Sequence, residues 1–93
     1  MASKAIKFED RGRGVVSAFI ERRFEARGKE RKGLGAVRIK NEGGHYRIDR
    51  ADAVAGAWMP WEAIDDVEYP TVAKAMAAIR AWARANRAYG APE

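Results

Sequence analysis

Ala36-Val37-Arg38-Ile39-Lys40-Asn41-Glu42-Gly43-Gly44-His45-Tyr46-Arg47-Ile48-Asp49 is the stretch that decides the fold. Val37 and Ile39 alternate with Arg38 and Lys40 before the glycine pair. After it, Tyr46 and Ile48 alternate with His45, Arg47 and Asp49. A period of two belongs to a strand with one buried face, and two such runs around a Gly-rich turn predict a β-hairpin. Downstream, Val54 to Met59 reads as a further strand that Pro60 breaks, with Pro60 starting a short helical turn through Ile64. Lys4 to Phe8 reads as an edge strand.

The segment 15–27 admits two readings. As a strand, it places Val16, Ala18, Ile20, Phe24 and Ala26 on one face with Arg22 as the only intruder, and Ser17, Glu21, Arg23, Glu25 and Arg27, alongside Val15 and Phe19, on the other. As a helix, it gathers Val15, Val16, Phe19, Ile20 and Phe24 into a stripe, but Arg23 and Arg27 fall near its middle. Face purity and the Val15-Val16 pair favour strand, whereas the helix propensity of Glu21 to Arg27 favours helix. Either way, Gly28 and Gly33 bracket a charged loop, Lys29-Glu30-Arg31-Lys32.

At the C-terminal end Val72, Ala75, Met76, Ile79, Trp82 and Ala83 recur at helical spacing, with Asn86 and Tyr89 extending the stripe. Pro70 in the first turn or Thr71 as cap starts the helix, and Gly90 offers a C-cap, so a helix over residues 71–88 is predicted. Arg80, Arg84 and Arg87 run along one edge of the stripe.

The fold class is α+β: an antiparallel meander of roughly three to five strands packed against the C-terminal helix. The alternative is α-β-β-β-α. That second order resembles the order of double-stranded RNA-binding domains, with no motif here to carry the analogy further.

The 93 residues allow one domain. A chain of this size buries roughly 60–65% of its unfolded surface, so its core is modest. A hydrophobic fraction of 47% argues against a disordered basic tail. The chain has no cysteine, which excludes disulfides, Cys-based zinc sites and thiol nucleophiles and fits a reducing compartment. The longest apolar run, Ala53 to Met59, is far short of a membrane span, and the first ten residues lack the apolar core of a signal peptide. A cytoplasmic protein without a membrane partner is expected.

The net charge of +5 is unevenly placed. Residues 11–50 carry 12 Lys or Arg against 5 Asp or Glu, residues 51–70 carry five acids and no base, and residues 71–93 return to +3. One basic and one acidic face follow, unless the two segments pack together and neutralise each other.

Catalytic chemistry finds little support in the residue types. His45 is the single histidine, beside a turn, and Ser3 and Ser17, the only serines, lack a nucleophile-elbow setting. Glu62, Asp65, Asp66 and Glu68 could gather around a hard cation, but their spacing is not that of an EF-hand, and a solvated acidic turn before Pro70 is the simpler reading. Gly28 to Gly35 fails as a phosphate loop because Leu34-Gly35, not Lys-Ser or Lys-Thr, follow Gly33. Arg11-Gly12-Arg13-Gly14 is too short to stand as an RG repeat. No cofactor, metal or catalytic residue is assigned.

The basic section has a coherent physical use. Arg22, Arg23, Arg27, Lys29, Arg31 and Lys32 place six cations in eleven residues, diluted by Glu25 and Glu30. If residues 15–41 form a strand–loop–strand hairpin, this basic loop is its tip, and Arg23, Arg27, Arg38 and Lys40 point away from the core. Such a ribbon can follow a phosphate backbone of DNA or RNA, and rings beside it, such as Phe19 or Tyr46, can stack on single-stranded bases. The bland alternative is a solvated surface whose Glu and Arg pair with each other. Trp58 and Trp61, which bracket Met59-Pro60, are expected to plug the core beside Trp82, with a protein-binding surface as the other use of an exposed tryptophan. The expected function is a small non-catalytic binding module whose basic hairpin (residues 22–40) contacts nucleic-acid phosphates. The alternative is a compact protein-binding inhibitor or adaptor, of the kind that phages and mobile elements encode, blocking a partner's surface.

Overall fold

The computed structural model describes residues 4–91; Ser3 and Glu93 lie outside the described residues. The chain runs β1 (Glu9–Gly12), β2 (Val15–Ala26), β3 (Lys29–Glu42), β4 (His45–Val54), β5 (Ala57–Trp58), β6 (Glu62–Ala63), α1 (Val72–Ala85) and β7 (Ala88–Gly90). The sheet is an antiparallel meander in the order β1-β2-β3-β4-β5, with β6 on β4 and β7 on β2. It is the strand-rich of the two predicted architectures, with the helix covering one face.

Two-residue turns set this topology. Arg13-Gly14, Arg27-Gly28, Gly43-Gly44 and Ala55-Gly56 all have positive φ at both positions. That is the signature of type I′ connections, whose twist matches that of the strands they join. The turn at Arg27-Gly28 settles the ambiguous 15–27 segment. It lets β2 pair with β3 residue for residue from Val15↔Lys40 to Ala26↔Lys29, and this ladder outweighs the helix propensity of Glu21 to Arg27. It also corrects the expected loop: Lys29 to Lys32 belong to β3, and the turn itself is only Arg27-Gly28.

Alternation then sorts the side chains. Ala18 faces Val37 across β2–β3, and Ile39 faces Ile48 across β3–β4. These residues and Ile20 pack against Ala75, Ile79 and Ala83 of the helix. Ile20, Val37, Ile39, Ile48 and Ile79 are the large side chains fully withdrawn from solvent. Thr71 caps the helix, its Oγ1 accepting from the Lys74 N–H at 3.1 Å, so Pro70 stands before the helix rather than in its first turn.

Several boundaries differ from expectation, each for a local reason. The helix stops at Ala85, because Asn86 forms the C-cap: its backbone N–H bonds the Trp82 and Ala83 carbonyls and its Nδ2 donates to Trp82 O at 2.8 Å. Arg87, at φ 52°, then turns the chain into β7, so Gly90 is a strand residue and Tyr89 leaves the helical stripe. Gly90 is required there, since a Cβ would collide with the Ala5 carbonyl. Lys4 to Phe8 is not a strand, although Ile6 is buried in the core and the Gly90 N–H donates to Lys4 O at 2.8 Å. Ala55-Gly56 splits the expected Val54–Met59 strand, and the stretch after Pro60 forms β6 instead of a helical turn. β6 joins β5 and the Tyr46↔Tyr69 bridge along the free edge of β4, which protects that edge from pairing with other chains.

The Tyr69 side chain adds a bond to the two backbone bonds of that bridge. Its hydroxyl donates to Asp65 Oδ2 at 2.6 Å, and burial, then the adjacent carboxylate, pushes its pKa up from 10.0 to about 12. Folding therefore favours the neutral phenol. The stabilisation is complete below the ordinary value and is lost as pH rises towards about 12. Tyr69→Phe is expected to cost about 1 kcal/mol at neutral pH. The gap between variant and parent should narrow in urea titrations as pH climbs from 10.0 to about 12. Ile79→Ala, which empties the centre of the helix–sheet contact, is expected to cost about 2–4 kcal/mol in the same assay.

Candidate nucleic-acid interface

The sequence suggests two charged faces, and the fold largely brings them together. Arg22 Nη1 donates to both Asp52 carboxylate oxygens at 3.2 Å, and Arg50 joins Asp52 and Glu62, each at 3.2 Å. Arg47 donates to Glu68 Oε1 and to the Asp66 carbonyl at 3.2 Å, with His45 Nε2 also 3.5 Å from Glu68. Of the acids in the 51–70 segment, Asp52, Glu62 and Glu68 are therefore engaged by arginines of β2 and β4, Asp65 holds Tyr69, and the Asp66 carboxylate pairs with none of the described residues. Among the described residues no group of three or more His, Asp or Glu is arranged to hold a metal ion.

The eight basic residues singled out from the sequence divide into two kinds. Arg22 lies on the helix side, fixed by Asp52 and placed 5.8 Å over the Trp82 ring. Arg23 projects from the opposite face, 4.8 Å over Tyr89 and 3.5 Å from Glu21, its Nε buried without a hydrogen-bond partner. Arg38 donates to Asp49 Oδ2 at 2.7 Å and lies 4.5 Å over Trp61. These three are structural. Lys40 is exposed, 3.9 Å from Glu42. Arg27, Lys29, Arg31 and Lys32 are exposed, and their side chains form no ion pair or hydrogen bond among the described residues.

Those four cations share one place, the distal end of the β2–β3 ribbon. Twelve paired residues at about 3.3 Å each make a ribbon of about 40 Å, which accounts for the long dimension of a molecule measuring 44 × 28 × 25 Å. The cross-strand pairs at the tip are Arg23↔Lys32, Phe24↔Arg31, Glu25↔Glu30 and Ala26↔Lys29. Like charges opposite one another repel, and each conflict has a local outlet. Arg23 is drawn to Glu21 and Tyr89, and Glu30 accepts from Arg87 Nη2 at 2.6 Å. Lys32 and Arg31 are left pointing into solvent, with Phe24 half-exposed beside them.

The tryptophans overturn the core expectation. Trp58 is 49% exposed and Trp61 40%, and with Phe19, 52% exposed, they form an aromatic cluster on the face of the sheet opposite the helix. Phe19 and Trp58 lie 6.0 Å apart between ring centroids, tilted by 39°. The turn at Ala55-Gly56 brings Trp58 opposite Ala53, at the edge of β4 instead of beneath the helix. Small residues leave room for the rings: Phe19 pairs across the ladder with Ala36, which pairs in turn with Ala51. The resulting cleft of about 360 Å³ has Ala18 and Ala36 at its base, the three rings as walls, and Arg11 and Ser17 at its rim. Arg11 Nε donates to Ser17 Oγ at 2.9 Å. The strand reading of 15–27 put Phe19 on this face, so the one sequence signal for the cleft was present in it.

Known proteins add nothing to this geometry: no family model, curated protein or solved structure matches the chain. No helix among the described residues is long and apolar enough to cross a membrane.

The division between structural and unpartnered cations has a stability signature. Asp52→Asn, which weakens two arginine contacts at once, is expected to cost about 1 kcal/mol at low salt and less at high salt. Lys29→Ala and Arg31→Ala should stay within about 0.5 kcal/mol of the parent. Urea midpoints measured in both salts check the contrast.

Proposed function

We propose that the protein is a small, non-catalytic nucleic-acid-binding module whose β2–β3 hairpin tip contacts phosphates. The observation that carries this reading is the concentration of Arg27, Lys29, Arg31 and Lys32, exposed and without side-chain partners among the described residues, at the end of one ribbon, while Arg22, Arg38, Arg47 and Arg50 are held by carboxylates. A cation that is not already paired gives up nothing when it meets a phosphate, and each contact releases a condensed counterion. The same cations along a thin two-stranded ribbon can track a backbone without reading its sequence. Binding without catalysis accords with the setting of the polar residues. His45 faces Glu68 at an exposed strand end, and the Ser17 hydroxyl is engaged by Arg11 with no base beside it. A cytoplasmic setting agrees with the lack of cysteine.

A second reading, a protein-binding inhibitor or adaptor, is favoured by one observation, the exposure of Trp58, Met59, Trp61 and Val54 along the β4–β5 edge. It requires a specific complex that survives nuclease treatment.

The test is a salt series of binding isotherms on labelled DNA and RNA. The parent should bind at low salt with a slope of log K on log salt of about −3, as expected for four phosphate contacts at about −0.7 to −0.9 each. Replacing Lys29, Arg31 and Lys32 by Ala, with Arg27→Gly to keep the positive φ of the turn, should weaken binding to every sequence alike and flatten the slope by about 1 per cation removed. Absence of binding at low salt, or indifference to these substitutions, rules the reading out.

A further inference from the structure

A second groove meets the aromatic cleft and changes what the outer face can hold. It has a volume of about 710 Å³, and Lys4, Lys7, Glu9 and Arg11 form its wall, with Phe19 and Leu34 as its apolar side. Arg11 and Phe19 belong to both grooves, so the two form one channel, basic at one end and aromatic at the other. The basic wall is anchored. Ile6, between Lys4 and Lys7, is 8% exposed in the core, the Gly90 N–H holds the Lys4 carbonyl, and the Ala91 N–H donates to Phe19 O at 3.3 Å. Among the described residues lining it, Lys4, Lys7 and Arg11 stand against one acid, Glu9, which Arg11 holds at 3.1 Å.

Resting on the reading above, we infer that this channel is a track for single-stranded nucleic acid, with phosphates along the Lys4–Arg11 wall and unpaired bases stacked on Phe19, Trp58 and Trp61. Exposed rings offer area and a π-face to any base, while a basic wall beside them neutralises the backbone of the same strand. A duplex cannot use the rings, because its bases are already stacked on each other and show only their edges. A cationic ligand of the kind that aromatic cages select is disfavoured, since Arg38 already covers one face of Trp61 and Arg11 stands at the rim. An apolar peptide would satisfy the rings and make no use of the basic wall.

The hairpin tip lies on the same ribbon. Phe19 and Arg27 are eight residues apart on one chain, about 26 Å along the strand, so a strand leaving the channel can reach the tip cations. The tip then supplies general phosphate affinity, and the channel supplies the preference for unpaired bases.

The test titrates the full chain with oligothymidylate, oligouridylate and a DNA duplex of equal length, following anisotropy and tryptophan fluorescence. One or both single strands should bind at least tenfold tighter than the duplex. Phe19→Ala and Trp58→Ala should each weaken single-strand binding about 10- to 100-fold while leaving duplex binding by the tip within twofold. Trp58→Phe, which keeps a ring at an exposed strand edge, should recover most of the loss, and unchanged urea midpoints separate lost stacking from lost fold. If single strand and duplex bind alike and the ring substitutions change neither, the channel inference is wrong while phosphate binding by the tip stands. If no nucleic acid binds at low salt, both are wrong.

Discussion

The register of β3 is the constraint on which everything else depends. This strand pairs on both sides, with β2 and with β4, and its residues alternate strictly between two unlike environments. Val37 and Ile39 face the helix, while Ala36, Arg38 and Lys40 face away. A slip of one residue would drive Arg38 towards the helix and expose Val37 and Ile39, so the hydrophobic pattern enforces the pairing. The same register sets Ala36 opposite Phe19 and Ala51, which gives the outer face a low base on which aromatic rings can lie. Core and candidate site are two readings of one alternation.

Electrostatics follow from that pairing as well. Arg22 and Asp52 are thirty residues apart in sequence and meet across β3, where Arg22 stands opposite Gly33 and Asp52 opposite Gly35, two residues with no side chain to separate them. A Cβ at Gly35 would lie 3.3 Å from Asp52 Oδ1 and 3.1 Å from the Ala51 carbonyl. Partly exposed pairs of this kind contribute little each to stability. Their larger effect is selective: they retire most of the arginines of the sheet from any other use. What remains available is decided by which cations the ladder carries beyond the reach of the acidic segment, and those are the ones at the distal tip.

How much of this was legible in the chain varies with the range of the interactions. The Gly43-Gly44 hairpin and the Val72–Ala83 stripe are local patterns, and both emerge where their periods place them. Residues 15–27 carried the right answer in the purity of their faces, although the propensity of Glu21 to Arg27 argued against it. The tryptophans were misplaced because their exposure hinges on where the chain turns between Val54 and Trp58. Ala55 takes a positive φ there that alanine seldom adopts, imposed by pairing with β4 and invisible in residue type. β6 and β7 are too short to carry a period, and they form only because an edge is waiting for them. The ion pairs that empty the acidic segment are long-range, so charge counted along the sequence could show that segregation existed but not that folding would undo it.

An exposed aromatic cluster on a small domain with a modest core has a cost that bears on its use. Burying Phe19, Trp58 and Trp61 under a second helix would have stabilised the sheet by several kcal/mol, at about 25 cal/mol per Å² of apolar surface. The fold instead places helix α1 on the opposite face and lines the outer face with alanines that leave the rings open. Rigidity is kept where it matters: Phe19 and Trp58 are strand residues whose backbones are fixed by ladder pairing, and Arg38 braces Trp61. Rings held in this way lose little freedom when a planar partner stacks on them, so more of the contact energy is retained as affinity. The unpartnered tip cations follow the same logic, since charges not yet neutralised have no internal bond to break. Both features leave stability unclaimed within the folded chain and available to a ligand, and they lie on one ribbon.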